Sequence, residues 1–439
     1  MPDLWKSIAA RKFFLISMGV LGLGFCFLSP AFAADSAIDT GDTAWILTST
    51  ALVMLMTVPG LAFFYGGLVR SKNVLGTVMQ SYVIMSVVSL VWVLWGYSLA
   101  FSPSKGGIIG GLDWVGLRGV GTTPHETLGS TIPHQVFMLF QLMFAAITPA
   151  LITGAFAERM RFTALLLFTI LWTTLIYSPL AHWVWGGGWL GNLGALDFAG
   201  GAVVHISSGM AALACAIVLG KREGYGSVAM PPHNLPLTLI GTGLLWFGWF
   251  GFNAGSGLGA NETAVVAFTA THIAAAAGAL GWMGAEWLLR GKPTVLGVAS
   301  GVISGLATIT PGAGFLSPFA AILIGFLAGA CCFGAVILKE RLGYDDSLDV
   351  VGIHGVGGIL GILMTGLIAT IGVKGLFFGG AGFFGAQIVM ILSTMVFVFI
   401  GTYIILKLVD AMIGLRINPD EERQGLDLSQ HGEQAYSRD

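Results

Sequence analysis

The chain has few charged residues for its length. Only 10% of its 439 residues are Asp, Glu, Lys or Arg, and 55% are apolar. Soluble domains typically contain roughly 25% charged residues. A water-soluble fold could not cover this much apolar surface, so we predict that lipid is the solvent for most of the chain. The net charge of −2 gives no basis for binding nucleic acid.

Cysteine is also scarce, with four residues in the whole chain. Cys26 lies in a segment that we expect to be removed, and Cys215, Cys331 and Cys332 lie inside apolar stretches. We therefore predict no disulfide, no metal site and no cofactor. The chain has no Walker A motif, so any transport is not driven by ATP bound to it.

The N-terminal residues have the features of a secretory signal. Basic residues precede an apolar stretch, 13–28, and Ala31-Phe32-Ala33 forms an A-x-A cleavage pattern. An uncleaved first span is the alternative, but this stretch is short for crossing a bilayer. We predict a cleaved signal over 1–33, a transmembrane transporter domain over 34–409 and a cytoplasmic tail over 410–439.

Eleven apolar stretches follow, each long enough to cross about 30 Å of hydrocarbon. The predicted spans are 44–68, 74–101, 135–157, 162–180, 198–219, 235–252, 263–289, 295–310, 318–338, 350–371 and 382–409. We therefore predict an all-α polytopic membrane protein with eleven transmembrane helices after signal cleavage. Two inverted five-helix repeats plus one C-terminal helix would account for this number.

Basic residues alternate between the loops and predict the orientation. If the mature N-terminus is outside, the outer loops carry only Lys105, Arg118 and Lys374. The inner loops carry ten: Arg70, Lys72, Arg159, Arg161, Lys221, Arg222, Arg290, Lys292, Lys339 and Arg341. Basic residues are enriched in cytoplasmic loops, so the pattern predicts an N-out, C-in topology.

Two histidines lie inside predicted spans that run in opposite directions. His205 is in the fifth span and His354 is near the start of the tenth. Inverted repeats place paired elements near the bilayer midplane, so the two imidazoles could meet there. Each histidine could instead bond only a neighbouring helix. A neutral imidazole offers one donor and one acceptor, which suits a small hydrogen-bonding solute.

Several segments carry a resemblance to a known family. Residues 197–209, DFAGGAVVHISSG, resemble the signature of the bacterial-type ammonium transporter (Amt) family. Similar segments occur in order at 64–73, 147–152, 157–159, 185–190, 246–256, 352–355 and 425–436. The resemblance covers nearly the whole mature chain.

The resemblance implies a pore with named residues. Phe144, Trp185 and Ser256 match an outer site that recruits ammonium. Phe144 and Phe252 match two stacked rings that close the pore, and the twin histidines match His205 and His354. From position alone, Phe144 and Trp185 would be packing or interface aromatics.

Asp197 is the acid of the signature, and it has two interpretations. It could attract the incoming cation, or it could cap the helix that begins after it. We favour the cap, with an indirect electrostatic effect. We interpret Glu286 as an ion-pair partner of Arg290 at a span end. His272 is expected to bond a backbone carbonyl, and His182 shows no partner in the sequence.

The resemblance also implies partners. A homotrimer in the inner (plasma) membrane is expected, with a PII signal protein as a possible partner of the cytoplasmic tail. From the residues alone, the tail is a polar acidic extension, and Asp345 and Asp346 would contribute to the same cytoplasmic face.

The leading functional hypothesis is transport of ammonium or ammonia through a narrow hydrophobic pore, with loss of a proton or of water at the outer aromatic site. Potassium would be rejected because it offers no proton to the histidines.

An ammonium sensor that binds with little flux is the alternative. Sensor members of the family usually carry an added signalling domain, whereas only about thirty residues follow the last predicted span here. A membrane oxidoreductase with His205 and His354 as haem ligands is a third hypothesis, and no other redox pattern supports it.

Overall fold

The computed structural model describes residues 38–436, so the predicted signal over 1–33 lies outside the described residues. Within them, eleven helices are long and apolar enough to cross a membrane. We number them α1 Thr40–Leu68, α2 Ser71–Phe101, α3 His134–Phe156, α4 Phe162–Asn192, α5 Gly201–Leu219, α6 Leu235–Gly255, α7 Glu262–Arg290, α8 Val295–Gly312, α9 Pro318–Leu342, α10 Val351–Ile368 and α11 Ala381–Ile413. The predicted all-α fold with eleven spans is confirmed.

Capping side chains fix where many of these helices begin. At each of five N-termini, a side-chain oxygen accepts the backbone N–H three residues further on, which satisfies one of the donors left free at a helix start. These caps are Asp39 on α1, Asn234 on α6, Asn261 on α7, Thr294 on α8 and Ser317 on α9. The predicted boundaries at these helices therefore differ from the observed ones by only a few residues.

The end of α4 differs most from its prediction. We predicted that it ends at residue 180, soon after Pro179, but the helical segment continues to Val184 and a short turn, Trp189–Asn192, follows. A π-helical turn, Thr173–Tyr177, precedes the proline. Such turns accommodate a break in the regular hydrogen-bond ladder, so Pro179 does not end the helix.

The segment between α2 and α3 forms two short hairpins on the predicted outer side. Strand β1, Ser104–Lys105, pairs with β2, Ile109–Gly110, and β3, Pro124–His125, pairs with β4, Gly129–Pro133, across a bulge. The backbone of Asp39 at the start of α1 donates to the carbonyl of Thr131 in β4. The second hairpin is thereby held against the helix ends.

Helices α5 and α10 approach each other closely because glycines face each other. A Cβ added to Gly209 of α5 would lie 2.3 Å from the Cα of Gly355 in α10. A Cβ on Gly358 of α10 would lie 2.8 Å from the carbonyl oxygen of Gly201. Small residues permit such backbone contact between membrane helices. The two helices that carry the predicted histidine pair are therefore direct neighbours.

Beyond α11, the tail is folded on the predicted inner side. A short helix, α12, spans Pro419–Gln424 and begins with a capping box made by Asn418 and Glu421. A π-helical turn, Asp427–His431, follows it. "Outer" and "inner" below refer to the two sides predicted from the basic residues.

Candidate functional site

An open vestibule of about 270 Å³ lies at the outer end of the helix bundle. Phe144 from α3, Trp185 from α4 and Ser256, which follows α6, all line it. The structure therefore brings together the three residues predicted for the outer site. Thr127 and Leu128, between β3 and β4, also form part of its wall.

Hydrogen bonds orient the polar atoms of this site. The Trp185 Nε1–H donates to the carbonyl oxygen of Asp197 at 2.7 Å, which fixes the indole plane. The Ser256 hydroxyl donates to the carbonyl oxygen of Phe252 at 2.8 Å. Since its proton is used in this bond, the Ser256 oxygen presents lone pairs and can accept an N–H from a cation.

Gln141 is a vestibule residue that we did not identify from the sequence. It lies one helical turn before Phe144 on α3 and lines the same cavity. Its Oε1 atom is buried and has no hydrogen-bond partner among residues 38–436. The signal that could have found it is the helical spacing of Phe137, Gln141 and Phe144 along one face of α3.

Two stacked phenylalanines close the inner end of the vestibule. The ring centroids of Phe144 and Phe252 are 4.2 Å apart, with an angle of 26° between the planes. Both side chains are buried, with 1% and 0% exposure. Trp185 meets the edge of this pair, 5.9 Å from Phe144. A hydrated ion would have to shed water to pass these rings.

A narrow cavity of about 10 Å³ lies just inside the phenylalanine pair, with Phe252 in its wall. This volume is close to the minimum that holds one water molecule. Its walls are mostly apolar, from side chains such as Leu61, Ile147, Leu151 and Leu245. The exceptions include the imidazoles of His205 and His354, so the polar groups stand in a largely apolar passage.

The two imidazoles are in direct contact. The Nδ1 atoms of His205 and His354 are 3.2 Å apart, and the rings are stacked with an angle of 20° between them. In the neutral pair, one Nδ1 carries the proton and the other accepts it. The Nε2 atom of His205 is buried and has no partner within the described part of the chain. The pair can therefore share one proton internally and still offer a free ring nitrogen.

Trp249 supports His205 from the other side, a contact that our sequence analysis did not anticipate. The two rings lie 5.6 Å apart at 24°. The Trp249 Nε1–H donates to the Thr310 hydroxyl at 3.0 Å, which holds the indole in place. Trp249 belongs to the segment 246–256 already noted in the sequence, but nothing in its spacing identified the histidine as its neighbour.

Asp197 caps the start of α5 with both carboxylate oxygens. Oδ1 accepts the backbone N–H groups of Gly200 and Gly201 at 2.9 and 2.6 Å. Oδ2 accepts those of Ala202 and Val203 at 2.7 and 3.1 Å. The side chain is not among the residues that line the vestibule. It holds the helix that carries His205, and its carbonyl holds Trp185.

The twin histidines behind a stacked aromatic gate correspond to the resemblance noted in the sequence. A sequence model of the Ammonium Transporter Family matches residues 44–436. The chain belongs to this family.

Relatives and solved structures agree with this assignment. The chain is 56% identical over 405 residues to an ammonium transporter of Bacillus subtilis (strain 168). The aligned region covers 91% of this chain and 99% of the relative. It is similar to the crystal structure of Candida albicans Mep2, with 37% identity, a TM-score of 0.84 and 90% of each chain covered. A Sensor Amt Protein structure gives 29% identity and a TM-score of 0.82, over 89% of this chain and 98% of that one. The family is one of ammonium transporters, not of enzymes.

The geometry also argues against the haem hypothesis. Axial ligands hold a haem between them, with the iron and the porphyrin plane separating the two rings. In this chain the rings of His205 and His354 contact each other directly, so no porphyrin fits between them.

The other polar residues predicted inside spans have structural contacts. His182 bonds the carbonyl oxygen of Ala100 at 2.9 Å and the Ser104 hydroxyl at 2.8 Å. The ring of His272 stacks on Trp246, with 5.4 Å between the ring centroids. We had expected His272 to bond a backbone carbonyl, but no such bond is observed within residues 38–436. Glu286 lies 3.9 Å from Arg290. Its closer bonds, to the backbone and hydroxyl of Thr294, tie α7 to the start of α8.

A buried ion network in the Amt-family fold lies at the inner ends of the helices. Glu158 is fully buried and contacts Arg70 at 2.6 Å and Arg222 at 3.5 Å. Arg222 also contacts Asp345 at 2.9 Å. Burial alone would raise the pKa of Glu158, but the two guanidinium groups outweigh it and hold that pKa below its usual range. The network joins the loops after α1, α3, α5 and α9.

Asp345 and Asp346, which were expected to contribute to the same cytoplasmic face as the tail, are instead buried beneath it. Both residues have 0% exposure. Asp345 pairs with Arg222, and one oxygen of Asp346 accepts the backbone N–H of Val351 at 2.7 Å. A carboxylate can be buried when ion pairs and N–H donors replace its water, and local sequence does not show where those partners are.

The tail is bound to the helix bundle. Lys72 donates to the carbonyl oxygens of Glu422 and Arg423 at 2.8 and 2.7 Å. Asp427 accepts the backbone N–H of Gly76 at 2.8 Å, so a tail side chain caps the first turn of α2. The sequence alone predicts only a polar acidic extension here. The structure adds that it is an ordered part of the inner surface.

Proposed function

We propose that ammonium is recruited at the outer site of Phe144, Trp185 and Ser256, and that ammonia then crosses the phenylalanine pair to the twin histidines. The family membership supports ammonium transport. The finer steps rest on the geometry of the vestibule, the gate and the histidine cavity. The contact of two imidazoles in a narrow, largely apolar cavity, directly inside the gate, is the observation that carries the proposal.

The outer site has the chemistry that a small cation needs. An aromatic face attracts a cation with about 0.5–2 kcal/mol, and the attraction grows as water leaves. The Ser256 oxygen adds one hydrogen-bond acceptor. No full negative charge lines this site among the described residues, since both Asp197 oxygens are occupied by backbone N–H groups. Binding is therefore weak enough for release toward the gate.

The gate and the cavity behind it discriminate by dehydration. The cavity holds about one water-sized molecule, so an ion cannot carry its hydration shell through. Ammonium can lose a proton and continue as neutral ammonia, whereas potassium cannot. The histidine pair accepts that proton in the tautomer in which Nδ1 of His205 carries the hydrogen, because the unpartnered Nε2 is then an unprotonated base.

Currents evoked by ammonium in proteoliposomes that contain the purified chain test this proposal. We expect His205→Ala and His354→Ala to lower the ammonium current by at least about tenfold, which is less than the roughly 10²–10⁴-fold that a positioned proton acceptor contributes, or to let potassium current appear. His272→Ala is the matched control, because it removes an intramembrane imidazole that stacks on Trp246 outside the cavity. Normal ammonium current with potassium still rejected, in the double His205 and His354 variant, would refute the relay.

A sensor is the second candidate, favoured by the similarity to the Sensor Amt Protein structure. A sensor would bind ammonium at the vestibule and pass little current. The same liposomes separate the two functions when ammonium binding is measured by calorimetry beside the current. Saturable binding with no current above that of protein-free liposomes would favour the sensor.

The resemblance also supports a homotrimer in the inner (plasma) membrane, with a PII signal protein binding the inner face. The ordered tail and the adjoining inner loops give such a protein a defined surface. Mass measurement of the detergent-solubilised chain, alone and with a PII protein, tests both statements.

A further inference from the structure

The two helices that carry the histidine pair are each preceded by an aspartate at the same spacing. Asp197 stands eight residues before His205, and Asp346 stands eight residues before His354. Each histidine lies in a π-helical turn at the start of its helix, Gly201–Ile206 in α5 and Val351–Gly355 in α10. Each aspartate accepts backbone N–H groups of that turn. Asp346 is therefore the inner counterpart of Asp197.

The two aspartates differ in how their oxygens are used. Both oxygens of Asp197 accept two N–H groups each. Oδ2 of Asp346 accepts the Val351 N–H, but its Oδ1 is buried and has no partner among residues 38–436. A buried carboxylate oxygen without a donor is costly, and binding a proton removes that cost. Asp346 is thus suited to gain and lose a proton, whereas Asp197 is not.

The charges around Asp346 keep its proton affinity in a useful range. Burial is the largest influence and raises its pKa to about 6, and the carboxylate of Asp349 adds to the rise. The positive charge of Lys339 in α9 lowers this pKa. The Lys339 ammonium group lies close by, in contact with the Asp349 carboxylate and the Asp346 carbonyl oxygen. Other ionisable groups that interact electrostatically with Asp346 are Tyr65 of α1, Arg159 after α3, Cys215 of α5 and Tyr344 after α9, and the neighbouring Asp345 is paired with Arg222.

The turn that follows Asp346 lies directly behind the wall of the histidine cavity. The ring of Tyr65 lines that cavity together with His354. A Cβ on Gly154 would meet the Tyr65 hydroxyl oxygen at 2.8 Å and Val350 at 2.7 Å. The Leu348 N–H donates to the Gly154 carbonyl at 3.0 Å. Gly154 and Tyr65 therefore pack between the Asp346 turn and the pore.

We propose that Asp346 is the proton-release residue on the inner side of the pore. An N–H bond of ammonium breaks at the gate, and the histidine pair takes up the proton. The imidazole N–H bond formed there breaks in turn when the proton passes to Oδ1 of Asp346. The O–H bond formed there breaks when the proton moves on to inner water. Neutral ammonia leaves separately, so one ammonium is carried per cycle and Asp346 returns to its charged form. This inference rests on the proposed function.

Asp346→Asn tests the inference, because the amide still accepts the Val351 N–H but cannot take up a proton. Ammonium currents of full-length wild-type and variant proteoliposomes are compared from about pH 5 to about pH 8, with equal pH on both sides. The wild-type current should fall as the pH decreases through about 6, where Asp346 becomes protonated. The variant should carry at least about tenfold less current at every pH and lack this transition.

Two further measurements separate proton transfer from a structural role. The half-saturating ammonium concentration and the melting temperature of Asp346→Asn should match the wild type, because the outer site and the cap are unchanged. Asp349→Asn is the matched neighbour. It removes a charge that raises the pKa of Asp346, so it should keep its current and move the transition to lower pH.

Wild-type current and pH profile in Asp346→Asn would overturn the inference, as would a loss of current that only follows a lowered melting temperature. If that variant does not fold, the Asp349→Asn shift decides, and an unmoved transition rejects the inference. The proposed function fails separately, when the His205 and His354 variants conduct normally.

Discussion

The two ends of the pore use charge in opposite ways. The outer vestibule is walled by aromatic, aliphatic and neutral polar side chains, and Asp197, whose carbonyl accepts the Trp185 indole N–H, has both carboxylate oxygens bonded to backbone N–H groups. The inner end contains buried arginine and carboxylate pairs such as Arg70 with Glu158. A neutral aromatic site binds a cation weakly and reversibly, whereas buried ion pairs hold helix ends in fixed positions. Recognition and rigidity are therefore separated across the membrane.

Removing one partner from the inner network should give the largest effect on stability. Glu158→Gln leaves Arg70 and Arg222 without their shared counter-charge, which costs about 3–5 kcal/mol when a buried pair is broken. Gln keeps the size of the side chain and does not worsen the left-handed backbone at this position, where φ is 74°. A clear fall in the melting temperature of the detergent-solubilised protein is the expected result.

Glu223→Gln is the matched control for that experiment. Glu223 pairs with Arg423 at the inner surface, where water solvates both groups, so its loss should change the melting temperature little. If both variants melt alike, the inner network does not have the stabilising role assigned to it here.

This network shows where sequence reasoning ends. Apolar length and alternating basic loops were enough to predict all eleven spans and to place His205 and His354 on helices that meet. Arg70 and Arg222 were counted only as markers of the inner side. Their pairing with Glu158 joins residues 88 and 64 positions apart, and no local pattern encodes such contacts.

The outer side was predicted in its residues but not in all of its contacts. Phe144, Trp185, Phe252 and Ser256 were named through the family resemblance, and the structure brings them to one vestibule and gate. The stacking of Trp249 on His205 depends on the crossing of α5 with α6, which the sequence does not specify. The two hairpins between α2 and α3 were also missed, because strands of two to five residues are too short to show a period.

The second largest effect should come from the cap that links the two regions. Asp197→Ala removes the acceptor for four N–H groups and leaves them buried at the start of α5, at a cost of about 2 kcal/mol, the upper range for a cap. Asp197→Asn keeps the oxygen of an amide and should fall between the alanine variant and the wild type. Thermal unfolding in detergent measures the order of the three proteins.

Asp39→Ala provides the comparison, since Asp39 caps α1 through a single exposed bond to the backbone of Asp42. Its loss should cost less than that of Asp197. Equal losses at the two positions would mean that the number of N–H groups held by Asp197 has no consequence for stability.

The smallest effect should appear at the outer aromatic site. Trp185→Leu removes one aromatic face from the vestibule but keeps apolar bulk beside Phe144. A cation–π contact worth about 1 kcal/mol corresponds to a roughly fivefold higher half-saturating ammonium concentration. The melting temperature should be nearly unchanged, because the indole closes one side of an open cavity and bonds only the Asp197 carbonyl.

Trp189→Leu is the matched control, because it alters an indole that packs on Trp183 outside the vestibule. This variant should keep the half-saturating ammonium concentration of the wild type. Recognition at this end then depends on a weak contact that can be lost with little change in stability, whereas breaking the inner network lowers the stability of the whole fold.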